Sequence, residues 1–142
     1  MPTILITGAT AGYGLAMAHL FGSHHYNLVL IGRRSERLEA IQEEFKPKGV
    51  KVHVISLDVT DREAVDKALG SIPAEFADID ILVNNAGLAK GIDPAQKSNL
   101  DDWEIMIDTN IKGLPAFLRL PPPPAPPPVS TGGDPEFRLL FY

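Results

Sequence analysis

Thr3-Ile4-Leu5-Ile6-Thr7-Gly8-Ala9-Thr10-Ala11-Gly12-Tyr13-Gly14 constrains the chain more than any other stretch. Ile4 to Ile6 is a short, continuous, β-branched-rich run, the pattern of a strand buried on both faces. Glycines then fall at 8, 12 and 14 before an amphipathic segment begins, so the chain has to turn from strand into helix there. A phosphate held at a helix N-terminus needs backbone N–H groups aimed at it and no Cβ in the way, and glycine gives that close approach. The last glycine lets the helix lie close to the strand it has just left. The stretch reads as a nucleotide-binding turn. A glycine triplet also suits an ordinary strand-to-helix turn, so the rest of the chain has to decide.

The 142 residues, 44% of them apolar, have room for one domain and a single Rossmann-like unit. A formal charge of −5 gives no field that would gather nucleic acid or an anionic membrane surface. With no cysteine there are no disulfides and no thiolate metal sites. Met1-Pro2-Thr3 runs straight into the first strand without a basic or long apolar leader, and no segment has the eighteen or so apolar residues of a membrane span. The expectation is a soluble cytoplasmic protein with neither nucleic acid nor membrane as partner.

After the turn, Tyr13 to Ser23 reads as a helix with Leu15, Ala18, His19 and Gly22 on one buried face. His24 and His25 close it; adjacent histidines point in different directions and no third ligand is near, so a solvated or dipole-pairing role is expected rather than a metal site. Asn27 to Gly32 is a second buried strand, followed at once by Arg33-Arg34. Ser35 is placed to cap the next helix, with Leu38, Ile41 and Phe45 in one stripe and Lys46-Pro47-Lys48-Gly49 as its stop. A third strand, Val50 to Leu57, ends at Asp58-Val59, and Thr60-Asp61-Arg62-Glu63 reads as a capping box. A fourth, Ile79 to Val83, ends in Asn84-Asn85-Ala86-Gly87.

Strict alternation of strand and helix predicts an α/β fold: a Rossmann-like parallel sheet in the order 3-2-1-4 with helices on both faces. A ligand belongs beyond the carboxyl ends of strands 1 and 4, where the order switches. The glycine turn, Arg33-Arg34, Asp58 and Asn85 all fall on that edge. A loop from Leu88 to Asn99 leads to a fourth helix, capped by Asn99 with Asp102 as reciprocal partner. There Trp103, Met106, Ile107 and Asn110 recur at helical spacing, which points Asn110 inward, where an amide must find hydrogen-bond partners.

From Pro121 the composition changes. Seven prolines in eight residues, Pro121 to Pro128, predict an extended polyproline II segment, continued by a Ser/Thr/Gly/Pro linker and a short apolar end, Glu136 to Tyr142. The expected organisation is a nucleotide-binding domain over 1–120 and a proline-rich, disordered tail over 121–142. Strand 4, apolar on both faces, would then be an unprotected sheet edge.

Together, Thr7-Gly8-Ala9-Thr10-Ala11-Gly12-Tyr13-Gly14, Asp58-Val59, Asn84-Asn85-Ala86-Gly87 and the Asn110 helix resemble the N-terminal half of a short-chain dehydrogenase/reductase. Gly32-Arg33-Arg34-Ser35-Glu36-Arg37-Leu38 and the stretches Ile79 to Ala89 and Asp102 to Asn110 are similar to the NADP-dependent dehydrogenases of serine, allo-threonine and 3-hydroxy acids. The resemblance covers residues 1–120 and implies NADP(H) as cofactor and a small hydroxy acid, alcohol or carbonyl compound as substrate. The residues agree on the cofactor. An acid after the second strand suits the ribose hydroxyl of NAD, whereas a guanidinium fork suits the extra phosphate of NADP, and here Arg33 and Arg34 stand in that place.

By resemblance, Gly8 to Gly14 cradle the pyrophosphate, Asp58 accepts from the adenine amino group with Val59 against the ring, and Asn85 with Ala86 and Gly87 lies along the ribose. Asn84 is expected to tie strand 4 to its neighbours. Asn110 resembles the catalytic-tetrad asparagine, which holds a water in the proton relay. The other three members are a Ser and a Tyr with a Lys four residues later, because the alkoxide left by hydride transfer is protonated by a tyrosine whose pKa a cation has lowered. Tyr13 is followed at that spacing by Met17, Tyr26 by Leu30, and Tyr142 is last. The chain therefore reads as a truncated or frame-shifted form with little activity alone. The resemblance also implies a homo-oligomer contact through the helix 100–119. A reading from another class is a non-catalytic nucleotide-binding adaptor whose proline tract docks an SH3 or WW groove.

Overall fold

The computed structural model describes residues 1–91, 93–120 and 139–141. The proline tract and its linker lie outside the described residues, and so does the SH3/WW reading. Five parallel strands, β1 (Thr3–Thr7), β2 (Asn27–Gly32), β3 (Val52–Ser56), β4 (Ile81–Asn84) and β5 (Leu139–Phe141), form one sheet in the order β3-β2-β1-β4-β5. The first four strands keep the expected 3-2-1-4 order. Ile4 pairs with Leu28 on one side and Ile81 on the other, which puts β1 at the centre.

Continuous apolar runs become central strands because each face of the sheet is covered. Every residue of β1 and β2 is buried. Since side chains alternate across a strand, Ile4, Ile6, Leu28, Leu30 and Val83 face one way, against Ala18 of α1 (Gly12–Ser23) and Leu38, Ile41 and Phe45 of α2 (Ser35–Phe45). Leu5, Val29, Ile31 and Leu82 face the other, against Val65 of α3 (Arg62–Gly70) and Ala116 and Phe117 of α5 (Leu114–Phe117). Each fully buried Leu, Ile or Phe contributes about 1.5–3 kcal/mol. Two such layers hold the carboxyl ends of β1 to β4 along one edge of the sheet. β3, half-buried from Val52 to Ile55 and exposed at Ser56, is one edge of the sheet.

Several local expectations shift. β3 and β4 are shorter than the apolar runs, since Val50 and Ile79 are buried without joining the ladder. Arg34, in extended backbone and without a side-chain cap bond, precedes α2, and Ser35 is its first helical residue. At α3 the cap is Asp61, whose Oδ1 accepts from the Ala64 N–H at 3.0 Å; Thr60 turns back to Asp58 instead. Asn99 does cap α4 (Leu100–Ile107), accepting from the Asp101 N–H at 3.0 Å. Asp102 does not reciprocate, because it pairs with Lys90 at 3.2 Å.

Two larger corrections concern β4 and α4. β4 is not an edge: Leu82, Val83 and Asn84 pair in parallel with Leu139, Leu140 and Phe141, so part of the apolar C-terminal end finds its partner on the strand that would otherwise be open. α4 buries none of its residues, and Trp103 and Ile107 of the expected inward stripe are exposed. The loop at Leu88 and Lys90 reaches Asn110 and Met106 of that stripe and leaves Trp103 and Ile107 exposed.

Candidate active site

β1 ends at Thr7 and the chain turns at Gly8, which takes a φ of +67°. A side chain there would be strained, and its Cβ would stand 2.9 Å from the Ala86 Cα. Gly12, at φ +55°, opens α1 with nothing within 4 Å of where a Cβ would be. That open space is the room a ligand needs to approach the backbone. Gly14 is buried, and a Cβ on it would run into the Gly8 carbonyl and the Asn85 amide. It lets the first turn of α1 rest on the glycine turn itself.

The turn is tied to β4 by two side chains. Thr7 Oγ1, nearly fully buried, accepts from the Asn85 N–H at 3.0 Å and the Ala86 N–H at 2.9 Å. In return Asn85 Nδ2 donates to the carbonyls of Thr7 (3.0 Å) and Gly8 (3.2 Å). The tie expected of Asn84 is therefore made by Thr7 and Asn85. The Asn84 side chain is buried, and both of its polar atoms lack a hydrogen-bond partner among the described residues. It borders a small cavity of about 10 Å³ between Thr7, Val59, Gly113 and Phe117.

The main cleft, about 400 Å³, opens where the strand order switches. Its floor is Gly8, Thr10, Ala11, Gly12 and Tyr13, with Arg33 and Arg34 at the end of β2, Asp58 and Val59 after β3, and Asn85, Ala86 and Gly87 after β4. The sequence-predicted residues are thus brought together on one edge, apart from three. Ala9 is fully buried and its N–H donates to the Ile31 carbonyl at 3.0 Å. Gly14 lies beneath the floor, and Asn110 stands beside the cleft, where its neighbour Thr109 is a wall residue.

Two features give the cleft its polarity. Arg34 Nη2 donates to Thr10 Oγ1 at 3.1 Å, which holds one guanidinium over the turn. Asp58 accepts from the Thr60 N–H (2.9 Å) and hydroxyl (2.8 Å); these bonds, the backbone one first, and the Arg33 charge hold its carboxyl below the ordinary value. Asp58 thus stays an acceptor at neutral pH. One end of the cleft is cationic and the next wall offers an ionised carboxylate.

Asn110 sits where the α4 helix loosens into a π turn, Asp108–Lys112, closed by a bond from the Gly113 N–H to the Asp108 carbonyl at 2.9 Å. Such turns often mark functional positions. Contrary to the expected inward stripe, Asn110 is exposed, and its amide finds its partners on the Leu88 backbone. Gly32, Leu57, Leu88 and Thr109 also line the cleft, and Arg37 reaches the turn, its Nη1 donating to the Thr10 carbonyl at 3.4 Å. Sequence reasoning missed these; the available signal was that Arg37 stands three residues after Arg34, one helical turn along the same face.

The chain matches the family model of the short chain dehydrogenases over residues 2–120. It is 49% identical over 111 residues to the NADP-dependent 3-hydroxy acid dehydrogenase of Salmonella typhi, covering 78% of this chain and 44% of that protein. To the serine 3-dehydrogenase of Agrobacterium fabrum it is 53% identical over 112 residues, covering 79% and 44%. Among solved structures, the closed form of a serine dehydrogenase complexed with NADP+ superposes with a TM-score of 0.77 at 46% identity, over 82% of this chain and 46% of that one. The chain therefore spans about half the length of the relatives it matches. Extended over 119 of its residues and accompanied by a likeness of fold, this match makes the chain a member of the short chain dehydrogenase family.

Proposed function

We propose that this chain forms the NADP-binding half of an oxidoreductase that interconverts the hydroxyl and carbonyl forms of a small hydroxy acid or alcohol. The observation that carries the reading is the pair Arg33 and Arg34 at the end of β2, in the same cleft as the glycine turn. A ribose hydroxyl would be met by an acid in that place; two guanidinium groups suit a phosphate monoester. The relatives named for NADP-dependent hydroxy acid and serine dehydrogenation support it.

The residues fit the cofactor. The backbone N–H groups of Ala11 to Tyr13 at the start of α1 would hold a pyrophosphate, with no Cβ at Gly12 to hinder it. Arg33 and Arg34 would hold the 2′-phosphate, Asp58 would accept from the adenine amino group beside Val59, and Asn85 to Gly87 would border the ribose. NADP, when bound, supplies the hydride chemistry. Asn110 spends one lone pair and one amide hydrogen on Leu88, so its second lone pair and second hydrogen remain for a water. The Ser and the Tyr-x-x-x-Lys pair that would move the proton are not in this sequence. Losing a positioned acid/base removes about 10²–10⁴ in rate, so the chain as given binds the cofactor far better than it turns over substrate.

The same reading includes a homo-oligomer through the helix 100–119, supported by the exposure of Trp103, Ile107 and Ile111 along it. Equilibrium binding of NADPH and NADH to the purified chain tests the cofactor assignment. NADPH should bind more tightly, and R33A/R34A should abolish the difference; equal binding of both dinucleotides by the unaltered chain would refute it.

A further inference from the structure

Thr10 is the place where the glycine turn and the arginine segment meet. It is 7% exposed, and two guanidinium groups from the start of α2 reach it. Arg34 Nη2 donates to its hydroxyl oxygen at 3.1 Å and Arg37 Nη1 to its carbonyl at 3.4 Å. Its methyl group is fixed from the opposite side: a Cβ on Gly32 would lie 2.7 Å from Thr10 Cγ2, so the last residue of β2 has to be small for the methyl to lie there. A β-branched side chain has few χ1 states. With the methyl against Gly32, the hydroxyl is left pointing at Arg34.

We infer that Thr10 is the positioning residue of the 2′-phosphate end of the cleft, and that its contacts with Arg34 and Arg37 set the preference for NADP over NAD. The inference rests on the proposed cofactor reading and goes beyond it. Arginine is a long, rotamer-rich side chain, and its fork recognises a phosphate only in one orientation. Arg34 itself is exposed, so burial does not choose that orientation. The Thr10 hydroxyl does. Arg37, outside the cleft lining, holds the turn's carbonyl from the helix side, so that turn and fork keep one spacing. NAD has no phosphate to place there, and its affinity does not depend on where Arg34 points.

The test is T10V, which keeps the branched shape and the methyl and removes only the hydroxyl, measured on the full chain by NADPH and NADH binding. T10V should weaken NADPH about tenfold more than it weakens NADH, the scale of one hydrogen bond to a charged group at a solvated site. T10S, which keeps the hydroxyl without the methyl that fixes it, should bind NADPH more tightly than T10V and less tightly than the unaltered chain, and T10V added to R34A should cause no further loss. An equal weakening of both dinucleotides, or unchanged NADPH affinity, would overturn the inference alone, provided the unaltered chain prefers NADPH. If the unaltered chain bound neither dinucleotide, the proposed function would fall and the inference with it.

Discussion

The side chain of Asn110 clasps the backbone of Leu88 on both sides: its Oδ1 accepts from the Leu88 N–H and its Nδ2 donates to the Leu88 carbonyl, each at 2.8 Å. The loop after β4 is thereby fastened to the π turn after α4, and the wall of the cleft at Gly87 and Leu88 is fixed by a residue distant in sequence. N110A should cost about 1–2 kcal/mol, the sum of two ordinary hydrogen bonds, and should speed hydrogen exchange at Leu88. N110D keeps the acceptor but cannot donate to the carbonyl, so it should lie between. Unchanged exchange at Leu88 in N110A would show that the loop is held by something else.

Thr7 has a comparable part on the β1 side. T7V leaves the half-buried Ala86 N–H without its acceptor, and Asn85 N–H with only the Val83 carbonyl at 3.1 Å. Urea unfolding should report a loss of about 1–3 kcal/mol, whereas T7S, which keeps the oxygen, should lose much less. Equal losses for the two would assign the effect to the methyl group and not to the hydrogen bonds.

Asn84 predicts the opposite sign. Both polar atoms of its buried amide are unpartnered among the described residues. Replacing an unsatisfied polar group by an apolar one of similar shape is neutral or stabilising, and the neighbouring cavity leaves room for adjustment. N84L should raise the unfolding free energy by about 1 kcal/mol. A fall of that size would mean that the amide is bonded in solution.

His53 on β3 gives a pH dependence. Burial lowers its pKa below the ordinary 6.5, with Glu75 opposing, while its ring lies 5.6 Å from that of Phe76. In the window just below 6.5 the unfolded chain binds the proton more readily than the folded one, so stability falls as pH drops through it. Thermal unfolding of H53Q between pH 7.5 and 5.5 should show a flatter profile than the unaltered chain; parallel profiles would remove His53 as a cause.

β5 predicts a solution property. Removing residues 139–142 would expose the backbone of Leu82 to Asn84, which now pairs with Leu139 to Phe141. The shortened chain should scatter more light at equal concentration. A shortened chain as soluble as the full one would show that this pairing does not protect the edge.

The sheet was readable because the apolar runs Ile4 to Ile6 and Leu28 to Ile31 are uninterrupted and separated by helix-period segments, and right-handed crossovers leave little freedom in ordering such strands. The cleft was readable because topology, rather than any one residue, gathers Gly8, Arg33, Asp58 and Asn85. What was not readable depends on contacts remote in sequence. The Trp103 and Ile107 spacing marks an amphipathic helix but does not say what covers its apolar side: the loop at Leu88 and Lys90 reaches only Met106 and Asn110 of the stripe and leaves Trp103 and Ile107 exposed. Asn84 ends β4 and Asn85 follows it, the same residue type side by side, and only the course of the backbone where the strand stops decides which one reaches Thr7. The pairing of Leu139 to Phe141 with β4 joins segments more than fifty residues apart and has no local signature.

The most direct test of the cofactor cleft is an amide chemical-shift titration of the ¹⁵N-labelled chain with NADP. Shifts should concentrate at Gly8, Thr10, Ala11, Gly12, Asp58 and Asn85, with the Arg33 and Arg34 amides moving in step, while β3 residues such as His53 and the exposed face of α4 stay in place. A spectrum unchanged at saturating NADP, or shifts confined to surfaces away from the glycine turn, would contradict the assignment of this cleft.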